Sequence, residues 1–399
     1  MNVGPVLYPQ AHHGTMSQSA GCEGRLRSPD VFKGLAIFFI AILHLAIVAR
    51  SGMSEPSPLI QALYLGLVGF FVLSGYFFRP GRGFVGNMRS RVRILFLALV
   101  IAAAALPVIS FLWCSLWGQP TGFGDLVDCW KRTFGLELSF VTFGDKVPWA
   151  ICGFSMGYYY LWCMLGAFII FYAVADRIRD RPLLGALTVL VLVSITAAYR
   201  ELFDFTLPFY LNLAPIAAAF MICGMYIAKL DLVGRVESCD LRDVRWWAPF
   251  VVCTAVLLVM VFLLPPTITF DHMSFGKHGG YSAFPYMVEG VLAFVMILYL
   301  SFFVSRIPLL SSTFVELGKH TLGILLLHVF VAKMILAPFF TFNSVDCVTA
   351  DLAGIGRTVF AFVALFVTYL ICAYGPKLIG LMMKRSEVPE RSRSVRPGI

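Results

Sequence analysis

The sequence has little charge. Only 13% of its 399 residues are charged, against about 25% in a typical soluble domain, while 59% are hydrophobic and the mean hydropathy is +0.83. This composition excludes an ordinary soluble globular protein. Even the longest interval between apolar runs, roughly 115–154, is rich in apolar and aromatic residues, so no separate soluble domain is expected. The sequence therefore predicts one polytopic membrane domain.

Several chemical signatures are also missing. The ten cysteines include no Cys-x-x-Cys pair and no His/Cys cluster with metal-ligand spacing, so the sequence predicts no metal site. We find no internal repeat of fixed period. The N-terminal segment lacks the basic region and apolar core of a cleavable signal peptide. Cys129, Cys152 and Cys347 are expected on the oxidising side of the membrane, where two of them could form a disulfide.

Long apolar runs are abundant instead. About twenty apolar residues are enough to cross a bilayer as an α-helix, and the sequence contains about ten such runs. We therefore predict an all-α fold, a polytopic transmembrane helix bundle of about 10 spans. The predicted spans lie near residues 31–50, 58–79, 93–114, 155–175, 183–199, 207–228, 246–264, 284–304, 315–338 and 355–381.

The distribution of Lys and Arg predicts the orientation. Most of the 31 basic residues fall on one side of the membrane when the N-terminus is placed in the cytoplasm, which with an even number of spans puts both termini there. We expect a flexible tail over 1–29, a membrane domain over 30–383 and a basic tail over 384–399. The net charge of +9 is then explained by topology and by anionic lipid heads, without a nucleic-acid partner.

A histidine interrupts the first apolar run, DVFKGLAIFFIAILHLAIVA. In a helix His44 would lie roughly 20 Å along from Asp30. An ionisable side chain at that depth is costly to insert and indicates a functional site. The alternative is a neutral histidine that only hydrogen-bonds a neighbouring helix.

The ninth run, VELGKHTLGILLLHVFVAKMIL, contains a second deep histidine, His328. Histidine titrates near neutrality, so two of them in one bundle could accept and release protons. Lys333 follows in the same run and could reach the far interface by snorkelling. In the eighth run Glu289 is a carboxylate well inside a predicted span.

Basic residues are concentrated after the second run, in RPGRGFVGNMRSRVRILF. If this stretch is helical, Arg89 and Arg93 share a face and Arg91 is turned away from it. Paired guanidinium groups suit a polyphosphate ligand, although topology alone is the alternative explanation. The second run itself, ALYLGLVGFFVLSGYFFRP, has small residues that favour close helix packing, among them Ser74.

Four stretches together resemble the integral-membrane acyltransferase-3 family, multi-pass enzymes that O-acylate carbohydrates. They are RSPDVFKGLAIFFIAILH, GFFVLSGYFF, MRSRVRIL and LGKHTLGILLLH, and their order and approximate spacing match over nearly the whole chain. Three departures stand out. Lys33 occupies a position that is Arg in many members, no proline follows the arginines, and no esterase-like domain is appended.

The resemblance implies a donor, usually acetyl-CoA, that is approached from the cytoplasm, and an acceptor hydroxyl on the other face. Arg89, Arg93 and Arg91 would hold the CoA phosphates. His44 would act as general base or as transient acyl carrier, and His328 would orient it or relay protons.

The remaining implied positions lie near the cytoplasmic rim and in the second run. Asp30 and Lys33 would position the first helix or the donor, and Ser74 could donate a hydrogen bond or simply serve helix packing. The implied partners are a carbohydrate or lipid-linked glycan acceptor, membrane lipids and a polysaccharide-synthesis complex. The expected location is the inner cell membrane.

The main alternative function is a transporter or flippase for a polysaccharide precursor or small solute. Such proteins often have repeats and broken helices near the membrane midplane. Pro208 and Pro215 in the sixth run are the clear pair of potential helix breakers. A non-catalytic scaffold is a third alternative, but it leaves the two deep histidines and the arginine cluster unexplained.

Overall fold

The computed structural model describes residues 28–48, 65–118, 122–134, 136, 158–203, 207–238, 244–263, 283–336, 338 and 354–386. The regular elements within these ranges are all helical. The α-helices are α1 (Ser28–Val48), α2 (Val68–Tyr76), α3 (Gly83–Leu116), α4 (Phe123–Thr133), α5 (Tyr158–Ile178), α6 (Pro182–Leu202), α7 (Ala214–Lys229), α8 (Leu232–Ser238), α9 (Val244–Leu263), α10 (Ala283–Ser305), α11 (Pro308–Lys319), α12 (Thr321–Leu336) and α13 (Gly354–Ser386). Short 3-10 segments at Leu65–Leu67 and Pro208–Leu213 precede α2 and α7.

The prediction of an all-α polytopic bundle is confirmed. Eight helices in the described ranges are long and apolar enough to cross a membrane, or up to nine when one bent pair is taken as a single span. Helices are the expected solution because each backbone group in lipid must find its hydrogen-bond partner within the protein. Residues 1–27 and 387–399, which make up most of the two predicted tails, and Cys152 and Cys347 lie outside the described residues.

The first helix is at the centre of the bundle. In its apolar window 72% of residues are buried, whereas the figure is 28% for α6, 17% for α9 and 22% for α13. The apolar side chains that these three helices expose, such as Leu187, Val252 and Phe366, suit contact with lipid. The helix that carries His44 is therefore enclosed by protein.

The predicted ninth span is not a continuous helix, so the single run over 315–338 was wrong in this respect. The chain breaks at His320, and the axes of α11 and α12 differ in direction by 83°. At the break the amide of His320 donates to the carbonyl of Leu317, a 3-10-type turn that ends α11. The apolar sequence that contains His328 belongs to α12, which begins after the break.

Two glycines allow the backbones of α1 and α11 to touch. A Cβ atom on Gly34 would lie 1.9 Å from the carbonyl oxygen of Phe314, and one on Gly318 would lie 2.2 Å from that of Asp30. Neither position can hold a side chain without moving a helix. This α1–α11 glycine contact fixes where α12 starts relative to α1.

Glycines from the second apolar run serve packing as well. A Cβ on Gly75 would meet the carbonyl oxygen of Met221 at 1.8 Å, and on α7 one on Gly224 would meet that of Val72 at 1.9 Å. The hydroxyl of Ser74 donates to the carbonyl of Phe70 in its own helix, 2.7 Å away. The described geometry therefore supports the packing interpretation of this run.

The α1–α11 glycine contact generates the first prediction. Gly34→Ala should lower the free energy of unfolding by about 1–3 kcal/mol, because the new methyl group must displace a backbone carbonyl. Gly375→Ala in α13 is the matched control, since no atom lies within 4 Å of the Cβ that it adds. Thermal unfolding in detergent measures both. Equal melting temperatures for the two variants would contradict the proposed contact.

Candidate active site

The two deep histidines are in direct contact. His44 Nδ1 lies 2.8 Å from His328 Nε2, although 284 positions separate the residues along the chain. The rings are nearly parallel, with centroids 5.1 Å apart and an interplanar angle of 9°. His44 is 5% exposed and His328 is fully buried. The sequence predicts that both residues lie deep in the membrane, but it does not predict that they are in contact.

A backbone carbonyl determines which ring nitrogens of this pair carry protons. His328 Nδ1 lies 2.8 Å from the carbonyl oxygen of Ile324, one turn earlier in α12. A carbonyl can only accept, so Nδ1 of His328 carries the proton, and in the neutral ring Nε2 is an acceptor. His44 then donates from its own Nδ1 to that acceptor. In neutral His44 this leaves the basic lone pair on Nε2.

Asp30 and Lys33 form a separate polar group at the start of α1. Lys33 Nζ donates to Asp30 Oδ1 at 3.3 Å, and it lies 5.9 Å from the centroid of the Phe77 ring. Asp30 is 6% exposed. The amide and the hydroxyl of Ser28 both donate to Glu237 Oε1 and attach this end of α1 to α8.

Lys33 does not touch the histidine pair. It precedes His44 by eleven residues, or roughly 16 Å along the helix axis. The structure thus pairs Lys33 with Asp30 and places both at the opposite end of α1 from His44.

The three arginines lie on the first turns of α3. This helix has 34 residues and extends roughly 51 Å, well beyond a hydrocarbon core of about 30 Å. Arg89, Arg91 and Arg93 are all exposed. Their position fits a segment that projects beyond the hydrocarbon core.

The arginines face in two directions. Arg89 and Arg93 share one face of α3, as predicted. The same face carries the exposed residues Leu97 and Ile101 further along the helix, so it points away from the bundle. Arg91 lies instead in phase with the buried stripe of α3, which is formed by Asn87, Leu95, Leu99 and Ala103. Arg91 is therefore the one directed toward the bundle.

Lys33 lies beside the segment that follows α2, and Arg91 lies near a residue of α5 that stacks on the same segment. The guanidinium of Arg91 is within electrostatic range of the Tyr172 hydroxyl on α5. The Tyr172 ring stacks on Phe78, with centroids 6.1 Å apart, and the neighbouring Phe77 lies beside Lys33. We call the region around these five residues the basic end of the bundle.

Two properties of the site were not found by sequence reasoning. The orientation of Arg91 left no signal, because α3 is apolar on both faces after its first turns. Lys333 is only 1% exposed, so the expectation that it snorkels to an interface was wrong. Within the described ranges no group of three or more His, Cys, Asp or Glu side chains could hold a metal ion.

Comparison with known proteins gives one finding. The sequence matches the family model Acyl_transf_3, described as an acyltransferase domain, over residues 26–375. This range includes both histidines, the three arginines and nearly the whole chain. No curated protein and no solved structure is significantly similar to it.

The contact between the histidines can be tested by a double-mutant cycle. His44→Leu and His328→Leu should each lower the free energy of unfolding, by about 1–3 kcal/mol, because each leaves a buried imidazole nitrogen without its partner. The double variant should lose less than the sum of the two. Thermal unfolding in detergent gives the coupling energy, which we expect to be about 0.5–3 kcal/mol. Additive losses would contradict the contact.

Proposed function

Since the chain belongs to the acyltransferase-3 family and is a multi-pass membrane acyltransferase, we propose that it is an O-acetyltransferase. In this proposal acetyl-CoA is the donor and binds at the basic end, on the cytoplasmic side. The acceptor is a hydroxyl of an exported or surface carbohydrate or of its lipid-linked precursor. The chain would act in the inner cell membrane, alone or within a polysaccharide-synthesis complex.

The contact between His44 and His328 is the observation that carries the proposal. A base must present a lone pair to the substrate and must hold its other nitrogen in a defined protonation state. The bonds from Ile324 through His328 to His44 supply this second condition. The alternative, a neutral histidine that only hydrogen-bonds a neighbouring helix, is also compatible with this contact, and the activity of the His44 variant decides between the two.

The chemistry then proceeds from Nε2 of His44. The acceptor hydroxyl attacks the thioester carbonyl carbon while its proton passes to Nε2. The carbon–sulfur bond breaks, and the CoA thiolate takes the proton and leaves as the thiol. The cation formed on His44 is stabilised by its hydrogen bond to Nε2 of His328, which makes His328 a positioning residue.

An acyl-carrier route uses the same nitrogen. Nε2 of His44 attacks the thioester carbon, and CoA leaves as the thiolate. The acceptor hydroxyl then attacks the acetyl carbon, the bond from this carbon to Nε2 breaks to restore neutral His44, and the hydroxyl proton passes to the CoA thiolate. Both routes need the lone pair on Nε2, so the hydrogen-bond pattern serves either of them equally.

The basic end supports donor binding. Exposed guanidinium groups fit the phosphates of CoA, because planar, charge-assisted contacts suit phosphate oxygens. Arg91 is directed toward the bundle, and we assign it the phosphate closest to the pantetheine arm. Arg89 and Arg93 face outward and would contact the more distant phosphates. Lys33, held by Asp30, flanks the entry.

Acetyl transfer by the purified protein is the direct test. Proteoliposomes with acetyl-CoA on the basic side and a carbohydrate acceptor on the other should release CoA, measured with a thiol reagent. His44→Ala should lower this rate by about 10²–10⁴-fold, the range for loss of a general base.

Folding must be separated from chemistry in this test. Gel filtration and the melting temperature of His44→Ala serve this purpose, and Gly375→Ala provides a variant with intact machinery. Normal acetyl transfer by folded His44→Ala would contradict the role of His44. Movement of a solute without acetyl-CoA would favour a transporter.

The arginines yield a further prediction. Arg91→Ala should raise the KM for acetyl-CoA by about tenfold or more, the cost of one charge-assisted contact to phosphate. Arg89→Ala is the matched control, two residues away on the outward face, and should have a smaller effect. Steady-state kinetics with saturating acceptor measures both. A larger effect for Arg89→Ala would reverse the assignment.

A further inference from the structure

The start of α3 carries the arginines but has little apolar packing of its own. Among the side chains described over residues 83–93, only Asn87 is buried, with 6% of its surface exposed. Met88 and Val92 pack against the core only in part, and the first buried apolar side chain described in α3 is Leu95. Another interaction must therefore fix the direction of these first turns.

The turn that leads into α3 is too free to do so by itself. It contains Gly81 and Gly83, whose φ angles are +82° and +63°. A Cβ atom on either glycine would meet no atom within 4 Å. Glycine adopts such left-handed conformations without steric cost, and residues 80–83 are exposed. The chain could thus enter α3 in several directions unless a side chain holds the turn.

Asn87 makes contacts that hold this turn. Its Nδ2 donates to the carbonyl oxygen of Arg79 at 3.3 Å and to that of Gly83 at 3.1 Å. An amide nitrogen has a hydrogen for each of these bonds, so one side chain supplies both. The bond to Gly83 lies within the first turn of α3. The bond to Arg79 crosses the turn and joins α3 to the segment that follows α2.

This cross-turn bond connects the two halves of the basic end. Arg79 comes directly after the two phenylalanines of this region, one of which lies beside Lys33 while the other stacks on Tyr172. On α3, Arg91 follows Asn87 by four residues, so the two share a face of the helix. The bond therefore sets the position of Arg91 relative to Lys33 and Tyr172.

We propose that Asn87 is a positioning residue of the donor site, because its bond to the carbonyl of Arg79 directs Arg91 toward a phosphate of the donor. A guanidinium binds phosphate strongly when its planar fork is aligned with the phosphate oxygens. The strength of this contact thus depends on the direction of the helix that carries the arginine. The identity of the donor rests on the proposed function, whereas the bonds that hold Arg91 in place do not.

CoA binding tests this role without any acyl transfer. The full chain in phosphatidylcholine nanodiscs is titrated calorimetrically with CoA. Asn87→Ala should weaken binding by about three- to tenfold, because Arg91 loses its alignment with the phosphate. Equal CoA affinity in the wild type and Asn87→Ala would overturn the inference and leave the proposed function intact.

Asn212→Ala is the matched control for a purely structural effect. Asn212 is 8% exposed, and its Oδ1 accepts a hydrogen bond from the amide of Leu207 at 3.2 Å. It therefore holds the turn before α7, a helix that carries none of the arginines. Both variants should lower the melting temperature, but Asn212→Ala should leave CoA affinity unchanged. An equal loss of CoA affinity in the two variants would reduce the role of Asn87 to stability and overturn the proposal.

Asn87→Ser separates the two bonds. A helical serine can donate to the carbonyl four residues earlier, as Ser74 does to Phe70 at 2.7 Å, so the bond to Gly83 is kept. The shorter side chain loses the bond to Arg79. Asn87→Ser should therefore weaken CoA binding as much as Asn87→Ala does. Wild-type affinity in Asn87→Ser would overturn the proposal, since the cross-turn bond would then be dispensable.

A double-mutant cycle identifies the group that Asn87 positions. Asn87→Ala should have little further effect on CoA affinity in Arg91→Ala, because the contact that it aligns is already absent. In Arg89→Ala, whose arginine is on the outward face, it should keep most of its effect. Additive losses with Arg91→Ala, or equal coupling to both arginines, would overturn the proposal.

Inorganic pyrophosphate separates this inference from the proposed function. Pyrophosphate binding that depends on Asn87 and Arg91, in a protein that binds no CoA, would support the positioning role and refute acetyl-CoA as the donor. A wild type that binds neither ligand would overturn both.

Discussion

The contact between the backbones of α1 and α11 is the constraint on which the site depends. Because Gly34 and Gly318 have no side chains, α11 lies directly against the start of α1. The chain then turns by 83° at His320 and enters the bundle as α12. The start and the direction of α12 are both set at this point, and they bring its third turn, with His328, level with His44. Two residues far apart in the chain thus meet through a contact that involves neither of them.

Once the helices are placed, the polarity of the pair follows from helix geometry alone. In an α-helix a side chain lies over the turn that precedes it, so a histidine can reach the carbonyl four residues earlier. His328 does this with Ile324, and the bond fixes which of its nitrogens can accept. His44 needs no acceptor of its own on α1, because the acceptor comes from α12. The bond within α12 therefore determines which nitrogen of His328 carries the proton. The contact between α12 and α1 then determines which nitrogen of His44 carries the proton.

The sequence predicts the helices well because lipid leaves the backbone no alternative, and deep polar residues stand out against apolar runs. This is why His44 and His328 could be selected without a structure. Contact between them could not be predicted, because it depends on the break at His320, and GKHTLG has no proline and lies between two apolar stretches. The burial of Lys333 also depends on its neighbours, since the same residue without α3 beside it could extend to the interface.

The geometry of Lys33 explains how this chain can do without the arginine that many members of the family have at this position. An arginine is superior where two parallel hydrogen bonds to one planar group are needed. Lys33 instead donates to a single oxygen of Asp30 and lies over the ring of Phe77, and a point charge on a flexible stem can satisfy both contacts. It is also too far along α1 to act on His44 directly. The loss of the planar fork therefore concerns the basic end of the bundle, where Arg91 still supplies one, and not the histidine pair.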